Sequence, residues 1–357
     1  MRHPVLPVLL GAICLSALPV HASPPTPADV DHLAPADIAQ AIDALKQSFA
    51  RPDALSDTEM ARATLQGLLD RLTPEVSLTT GTGATEAATP FYSEIFQAKT
   101  GYLRPGELTG VNIAKTKQAL ADWATKGVSA VVLDLRCTPA SSDFQAGADL
   151  ERLFCAKGTE MFSLHAGDRA TAASPDQSFS TDSSPLYAGI LVVLVDADTG
   201  EAPEAVAASL RECAKALVVG DQTAGRAFEY KDFLLQGAVL RVATARVILP
   251  DGKEPGENGL RPDIDVALGD APKAEIMRSI LTHGVDSVVE EHDRPHLNEA
   301  ALVSGSNPDV DEIEAEESGK KQADGIIDRQ LQRALDLVTS ISIYQSKGAA
   351  SPSAAAE

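Results

Sequence analysis

Apolar positions in the first part of the chain repeat with the spacing of amphipathic helices. One such pattern spans Ile38 to Phe49, and a second runs from Asp57 to Leu72 before Thr73-Pro74 ends it. The sequence that follows is rich in Gly, Thr and Ala and has no apolar period. We therefore predict a helical lead-in over residues 23–78 and a linker over residues 79–100.

The centre of the chain alternates short apolar runs, typical of buried strands, with amphipathic helical patterns. The predicted strands are Gly101–Leu103, Ala130–Leu133, Ile190–Val195 and Leu217–Val219, and the predicted helices are Val111–Trp123, Phe144–Phe154 and Ala202–Ala216. A hairpin follows, with strands Phe233–Leu235 and Val239–Leu249 joined across Gln236-Gly237. This order predicts an α/β core over residues 101–268, in which helices cover a β-sheet.

Helical patterns separated by polar sequence occupy residues 269–346. The predicted helices are Ala271–Leu281 and Ile326–Ile343, and the strongly acidic segment Ser304–Asp324 between them is predicted to be a solvated loop. The last residues, 347–357, form a low-complexity tail that we expect to be disordered.

The first 22 residues have the pattern of a secretory signal peptide. Arg2 supplies the positive end, Val5 to Leu18 the short apolar stretch, and Val20-His21-Ala22 the small-residue cleavage site. A lipoprotein signal ending at Cys14 is a weaker alternative, because Ile13 stands where a small residue is required. We expect a periplasmic or secreted protein with no membrane span after signal cleavage, since no other apolar stretch reaches about 18 residues.

Charge and cysteine content narrow the set of partners. The chain carries 51 acidic and 30 basic residues, a formal charge of −21, so we expect it to repel nucleic acid.

Three cysteines remain after signal cleavage, Cys137, Cys155 and Cys213. An odd number leaves at least one thiol free or bound to another chain, and the sequence does not fix which two could pair.

No metal or cofactor is predicted. His292, Asp293 and His296 form only a weak metal-ligand pattern. Pro295 would break the helix needed to place these three side chains on one face. The acidic run Asp309–Glu317 lacks the glycine and the spacing of a calcium loop.

Ten segments follow one another in an order that is informative as a set: Ala41–Ser77, Gly101–Arg104, Val131–Arg136, Val192–Asp196 with Thr199 and the helix from Ala202, Val218–Gly225, Thr244–Arg246, Pro250–Gly252, Gly259-Leu260, Pro262–Ile264 and Asp328–Leu335. In this order they resemble the carboxyl-terminal processing peptidases, also called tail-specific proteases. The resemblance covers roughly 60% of the chain and is specific because so many segments keep their order. It implies a peptidase-like core of crotonase-like βα topology with helical N- and C-terminal segments. The family usually places a PDZ domain before this core. It is not expected here, because only Leu78–Thr100 is available and a domain needs upward of about 50 residues.

The resemblance also locates the positions at which the family performs catalysis, with a serine nucleophile and a lysine base. Glu201 stands at the serine position, Arg226 at the lysine position, and Tyr230 where a glutamine steadies the lysine. A carboxylate attacks amides poorly, and a guanidinium keeps its proton at any ordinary pH. These replacements predict that the chain has no catalytic residues.

The loop that would bind the oxyanion is altered as well. Pro139 is followed by Ala140 and Ser141, where the family has paired glycines. Side chains at these positions restrict the backbone conformations with which glycine aims N–H groups at an oxyanion.

From these replacements we expect an exported, non-catalytic homologue that binds a peptide or protein partner or regulates a related peptidase. We further hypothesise that Glu201 and Arg226 form an ion pair that closes the former site. Two alternatives stay open: a serine-type peptidase whose nucleophile has moved to Thr199, Ser141 or Cys137, and a small-ligand-binding protein.

Overall fold

The computed structural model describes residues 30–80, 90–97, 99–141, 143–167, 176–256, 258–269, 272–290 and 326–349. The predicted signal peptide, the His292–His296 pattern, the acidic loop Ser304–Asp324 and the tail after residue 349 lie outside these residues. The chain divides into two compact units, Met1–Arg71 and Leu72–Glu357.

The first unit contains the two helices that the apolar spacing predicts. Helix α1 spans Pro35–Ser48 and helix α2 spans Asp57–Arg71, with a short 3-10 helix at Pro52–Leu55 between them. Both helical predictions are confirmed. No side chain in α1 or α2 is buried, so the apolar positions that predict these helices are at least partly exposed.

The second unit contains eleven strands and five α-helices among its described residues. In chain order they are β1 Val76–Thr80, β2 Tyr92–Phe96, β3 Thr100–Arg104, α3 Gly110–Lys126, β4 Ala130–Asp134, α4 Phe144–Glu151, β5 Glu160–Ala166, β6 Gln177–Ser180, β7 Ile190–Val195, α5 Ala202–Cys213, β8 Leu217–Gly220, β9 Phe228–Leu235, β10 Ala238–Ile248, β11 Ile264–Asp265, α6 Lys273–His283 and α7 Arg329–Ala349. None of the helices in the described part of the chain combines the length and apolar character needed to cross a membrane.

A six-stranded sheet forms the centre of this unit, in the order β11-β8-β7-β4-β3-β2. All neighbouring strands are parallel except β2, which runs antiparallel to β3 at one edge. Because successive side chains of a strand point to opposite faces, Val131 and Leu133 join a core with α3, α4 and α5, whereas Val132 packs with α6 and α7. The predicted α/β core with helices covering a sheet is confirmed.

A second, antiparallel sheet has the order β1-β10-β5-β6, with β9 also paired to β10. The predicted hairpin is present, and Leu235 pairs with Ala238 across its turn, although β9 begins five residues earlier than predicted. Strands β5 and β6 are not among the strands predicted from the sequence.

The prediction that residues 79–100 form a linker is wrong in part. Strand β2 lies inside this segment and pairs antiparallel with β3, Glu94 opposite Tyr102. Strand β1 overlaps the end of the predicted helical lead-in and pairs with β10, more than 150 residues away. Such pairing depends on partners distant in sequence, which a local reading of composition does not reveal.

A buried arginine joins the central sheet to the last helix. Arg136, directly after β4, donates to both carboxylate oxygens of Asp134 at 3.0 and 2.6 Å, and to both of Asp328 at 2.9 and 2.7 Å. Tyr102 also donates to Asp134, at 2.7 Å. Burial alone would raise the pKa of Asp134, but the Arg136 guanidinium holds that pKa below its usual value. All of these side chains are buried, so each charge depends on its partners.

We therefore expect Arg136→Met to lower the free energy of unfolding by about 3–5 kcal/mol, because Asp134 and Asp328 would remain buried without a cation. Urea unfolding can be followed by the fluorescence of Trp123, which is the one tryptophan of the chain and is buried. The control is Arg333→Met on the exposed face of α7, for which the change should stay within about 0.5 kcal/mol. Equal effects of the two substitutions would contradict this account of the network.

Candidate functional site

The turn from β7 into α5 places Glu201 in a strained conformation. Its φ is +57° and its ψ is −130°, values that residues other than glycine rarely adopt. The Glu201 N–H donates to the Arg226 carbonyl at 3.0 Å, and the N–H of the next residue, Ala202, donates to the Ser141 carbonyl at 3.0 Å. These bonds hold the sharp strand-to-helix turn that hydrolases use to expose a nucleophile.

A buried carboxylate holds the loop that carries Arg226 beside this turn. Glu204, in the first turn of α5, accepts a hydrogen bond from the Thr223 hydroxyl and from the backbone N–H groups of Gly225 at 3.0 Å and Arg226 at 2.8 Å. Gly225 has a φ of +65°, and a side chain there would collide with the backbone of Asn258. The two catalytic positions of the resemblance are therefore adjacent through their backbones.

The carboxylate of Glu201 pairs with Arg241 of β10. Arg241 Nη2 lies 3.2 Å from Oε1 and 3.3 Å from Oε2, and the Glu201 side chain is only 3% exposed. Our sequence hypothesis assigned this role to Arg226, whose guanidinium instead lies against Gly200. Arg241 gave no local sequence signal, because it reaches the site only through the pairing of β10 within the second sheet.

The ring of Tyr230 packs against the guanidinium of Arg241. The Arg241 guanidinium carbon lies 4.9 Å from the centre of the Tyr230 ring, a cation–π distance, and the Tyr230 hydroxyl donates to the Pro74 carbonyl at 3.1 Å. Burial, together with the nearby Glu201 carboxylate, raises the pKa of Tyr230 to about 12. Tyr230, at the position where the resemblance places a lysine-steadying glutamine, thus contacts Arg241 and the Pro74 carbonyl.

The loop with Pro139, Ala140 and Ser141 lies beside the turn, and Ser141 forms an isolated parallel bridge with Glu201. The Ser141 carbonyl takes up the Ala202 N–H, the amide that follows the nucleophile position and would face an oxyanion in a hydrolase elbow. The Ser141 hydroxyl accepts the Asp143 N–H at 3.1 Å. In this conformation the Ala202 amide is not available to a substrate oxygen.

Thr199 is buried and has a structural role in the turn after β7. Its hydroxyl donates to Asp196 Oδ1 at 3.0 Å and accepts the Asp196 N–H at 3.1 Å. This reciprocal bonding closes the turn and leaves the hydroxyl pointing away from solvent.

Cys137 is the free thiol among the described cysteines, because Cys155 and Cys213 form a disulfide. Burial, with a smaller contribution from Asp134, raises the pKa of the Cys137 thiol to about 12, so almost none of it is thiolate at neutral pH. The one group of three potential metal ligands in the described part of the chain, Glu151 with Cys155 and Cys213, uses its two sulfur atoms in that disulfide.

A cleft of about 760 Å³ opens next to these loops. Its lining residues come from the segment before β2, the segment after β4, the turn before α5, the loop before β9 and helix α6: Pro90, Arg136, Cys137, Thr138, Pro139, Ala140, Asp198, Arg226, Lys273, Ala274, Met277, Arg278 and Leu281. Of the three altered positions, Arg226 lines the cleft, whereas Glu201 and Tyr230 lie outside its lining. A cleft of this size is adequate for a short peptide segment or a small ligand.

The fold and the turn at Glu201 define an α/β core of the peptidase type, and comparison with known proteins shows what this core is similar to. Residues 99–266, somewhat under half of the chain, match the sequence model of peptidase family S41. Carboxyl-terminal processing peptidases are among the curated proteins to which the chain is similar.

Among the curated relatives is the carboxyl-terminal-processing protease of Picosynechococcus sp., 28% identical over 183 residues, which are 50% of this chain and 42% of the relative. The chloroplastic C-terminal processing peptidase of Tetradesmus obliquus is 26% identical over 216 residues, covering 60% of this chain and 44% of the relative. The matched segments therefore span less than half the length of these relatives.

A putative peptidase from Parabacteroides merdae has a similar fold. The alignment has a TM-score of 0.50 and 15% sequence identity, and it covers 69% of this chain and 85% of that protein. This likeness supports the fold alone.

The ion pair between Glu201 and Arg241 can be measured by a double-mutant cycle with Glu201→Gln and Arg241→Gln. We expect a coupling of about 1–2 kcal/mol in the free energy of unfolding, because the Glu201 carboxylate is almost fully buried. The matched cycle of Glu201→Gln with Arg226→Gln should be additive within about 0.5 kcal/mol. Coupling with Arg226 as large as that with Arg241, or none with either, would contradict the observed pairing.

Proposed function

We propose that this chain is an exported, non-catalytic relative of the carboxyl-terminal processing peptidases, whose cleft binds a peptide or protein partner. The observation that carries the proposal is the strained turn at residue 201. It keeps the geometry of a nucleophile turn, but it presents a carboxylate that is buried and paired with Arg241.

Peptide hydrolysis by this fold needs a nucleophile that loses a proton and a base that accepts it. Glu201 has no proton to lose as a carboxylate, and the guanidinium of Arg226 cannot accept one. The Ala202 amide is already bonded to Ser141, so oxyanion stabilisation is weakened too. The nucleophile, the base and the oxyanion donor are therefore each compromised independently of the other two.

Cys137, the alternative nucleophile that lines the cleft, lacks a suitable base among the described residues of the lining. The cleft contains one lysine, Lys273, which donates to Asp196 at 2.7 Å and also to Asp198. Burial alone would lower the pKa of Lys273, but these two carboxylates raise it above its ordinary value. Lys273 therefore holds its proton near neutral pH and is unsuited to activate Cys137, the thiol that lines the same cleft.

Export is supported by the disulfide between Cys155 and Cys213, a bond that persists in oxidising compartments. It agrees with the signal peptide that the sequence predicts. The periplasm or the extracellular space is thus the proposed location.

A peptide is the proposed class of ligand because the matched relatives are named for processing the carboxyl termini of proteins. Fold does not by itself imply activity, so a cleft on a peptidase-like fold can serve binding alone. Binding would let the chain hold a protein partner or compete with an active relative for its substrates.

The proposal is tested by equilibrating the immobilised chain with a random octapeptide library and quantifying the retained peptides by mass spectrometry. We expect retention by the unmodified chain and its loss in Ala274→Trp, because the indole would occupy the cleft. The control is Ala124→Trp, a substitution at an exposed position of α3 that does not line the cleft. Absence of retention by the unmodified chain, or equal retention by Ala274→Trp, would overturn the proposal.

A further inference from the structure

The cleft wall is rich in cations although the chain as a whole is acidic. Four of its lining residues are cationic, Arg136, Arg226, Lys273 and Arg278, and one is acidic, Asp198. The formal charge of the whole chain is −21. A concentration of positive side chains in one concave surface of such a protein points to a ligand with a negative group.

Two of these cations are already neutralised within the protein. Arg136 lies between the carboxylates of Asp134 and Asp328. Lys273 binds Asp196 and Asp198, so the one acidic residue of the lining is compensated as well.

The other two, Arg226 and Arg278, have no carboxylate within 4.0 Å in the described part of the chain. Arg226 is the more constrained, because Glu204 fixes its backbone and its guanidinium lies against Gly200. Its Nε is buried and has no hydrogen-bond partner among the described residues. A buried donor without an acceptor is unfavourable unless a ligand supplies the acceptor.

A further arginine, Arg104, lies behind the wall, near the Asp134 carboxylate, whose pKa it helps to lower. Arg104 is fully buried, and two of its nitrogens, Nε and Nη2, have no partner among the described residues. Its Nη1 contacts the sulfur of Met277 at 3.0 Å, and Met277 lines the cleft. Glu201, at the adjacent turn, is neutralised by Arg241 and does not line the cleft.

We propose that the cleft recognises a carboxylate of its peptide ligand, with Arg226 as the principal receptor and Arg278 at the exposed rim. This inference rests on the proposed function and specifies its ligand. A guanidinium cannot accept a proton, but its planar fork matches a carboxylate in a bidentate pair. Replacement of the family's lysine by Arg226 thus converts the position of a base into a receptor for an anion. The carboxylate can belong to the C-terminus of a peptide or to an Asp or Glu side chain.

Four random octapeptide libraries distinguish these sources: free acids and C-terminal amides, each with and without Asp and Glu at the randomised positions. The full chain is immobilised, and retained peptides are quantified by mass spectrometry. If the C-terminus is recognised, the free acids without Asp or Glu should be retained about ten-fold more than their amides. If a side chain is recognised, the amides with Asp and Glu should exceed the amides without them by a similar factor.

In either case the preference should fall to about one in Arg226→Gln and be reduced in Arg278→Gln. Arg333→Gln, with the same charge change on the exposed face of α7, should leave it intact. Peptides retained without any preference for a carboxylate would overturn this inference while leaving the proposed function in place. A preference that persists in the double variant of Arg226 and Arg278 would overturn it too, and no retention of any library would overturn both proposals.

Discussion

The buried carboxylate of Glu204 is the interaction on which the site depends. The Glu204 carboxylate accepts hydrogen bonds from the Thr223 hydroxyl and from the backbone N–H groups of Gly225 and Arg226. These bonds fix the loop between β8 and β9 to the first turn of α5. Hydrogen bonds to an ionised group are stronger than those between neutral groups, and in a buried place they have no competing water. These bonds hold the Arg226 loop where the Arg226 carbonyl accepts the Glu201 N–H at 3.0 Å.

The strained turn at residue 201 places a buried carboxylate at the position that the resemblance gives to the nucleophile. Glycine would satisfy a φ of +57° at lower cost, yet the position holds a glutamate whose side chain is buried against Arg241 and, through it, the Tyr230 ring. The three residues make one connected network. In our account this network stands where a peptidase would have its proton path, and Arg226 lines the cleft without a carboxylate partner for its guanidinium among the described residues.

The sequence was sufficient for the parts of this structure that depend on local patterns. The parallel strands β4 and β7 are continuous apolar runs, and Thr199, Glu201 and Arg226 could be located because motifs of fixed spacing surround them. It was insufficient wherever the partner is remote. The disulfide between Cys155 and Cys213, the strand β2 and the approach of Arg241 to Glu201 each depend on how sheets and helices pack, and none has a local signature.

The central claim is that the retained turn cannot carry out acyl transfer. The most direct measurement is the hydrolysis of a quenched-fluorescent peptide mixture by the unmodified chain, beside an active carboxyl-terminal processing protease and a buffer blank. Our account predicts a rate indistinguishable from that of the blank over days, because no described residue of the cleft joins a nucleophile to a base that can accept its proton. Turnover by the purified chain that is abolished by Thr199→Val, Ser141→Ala or Cys137→Ser would contradict it.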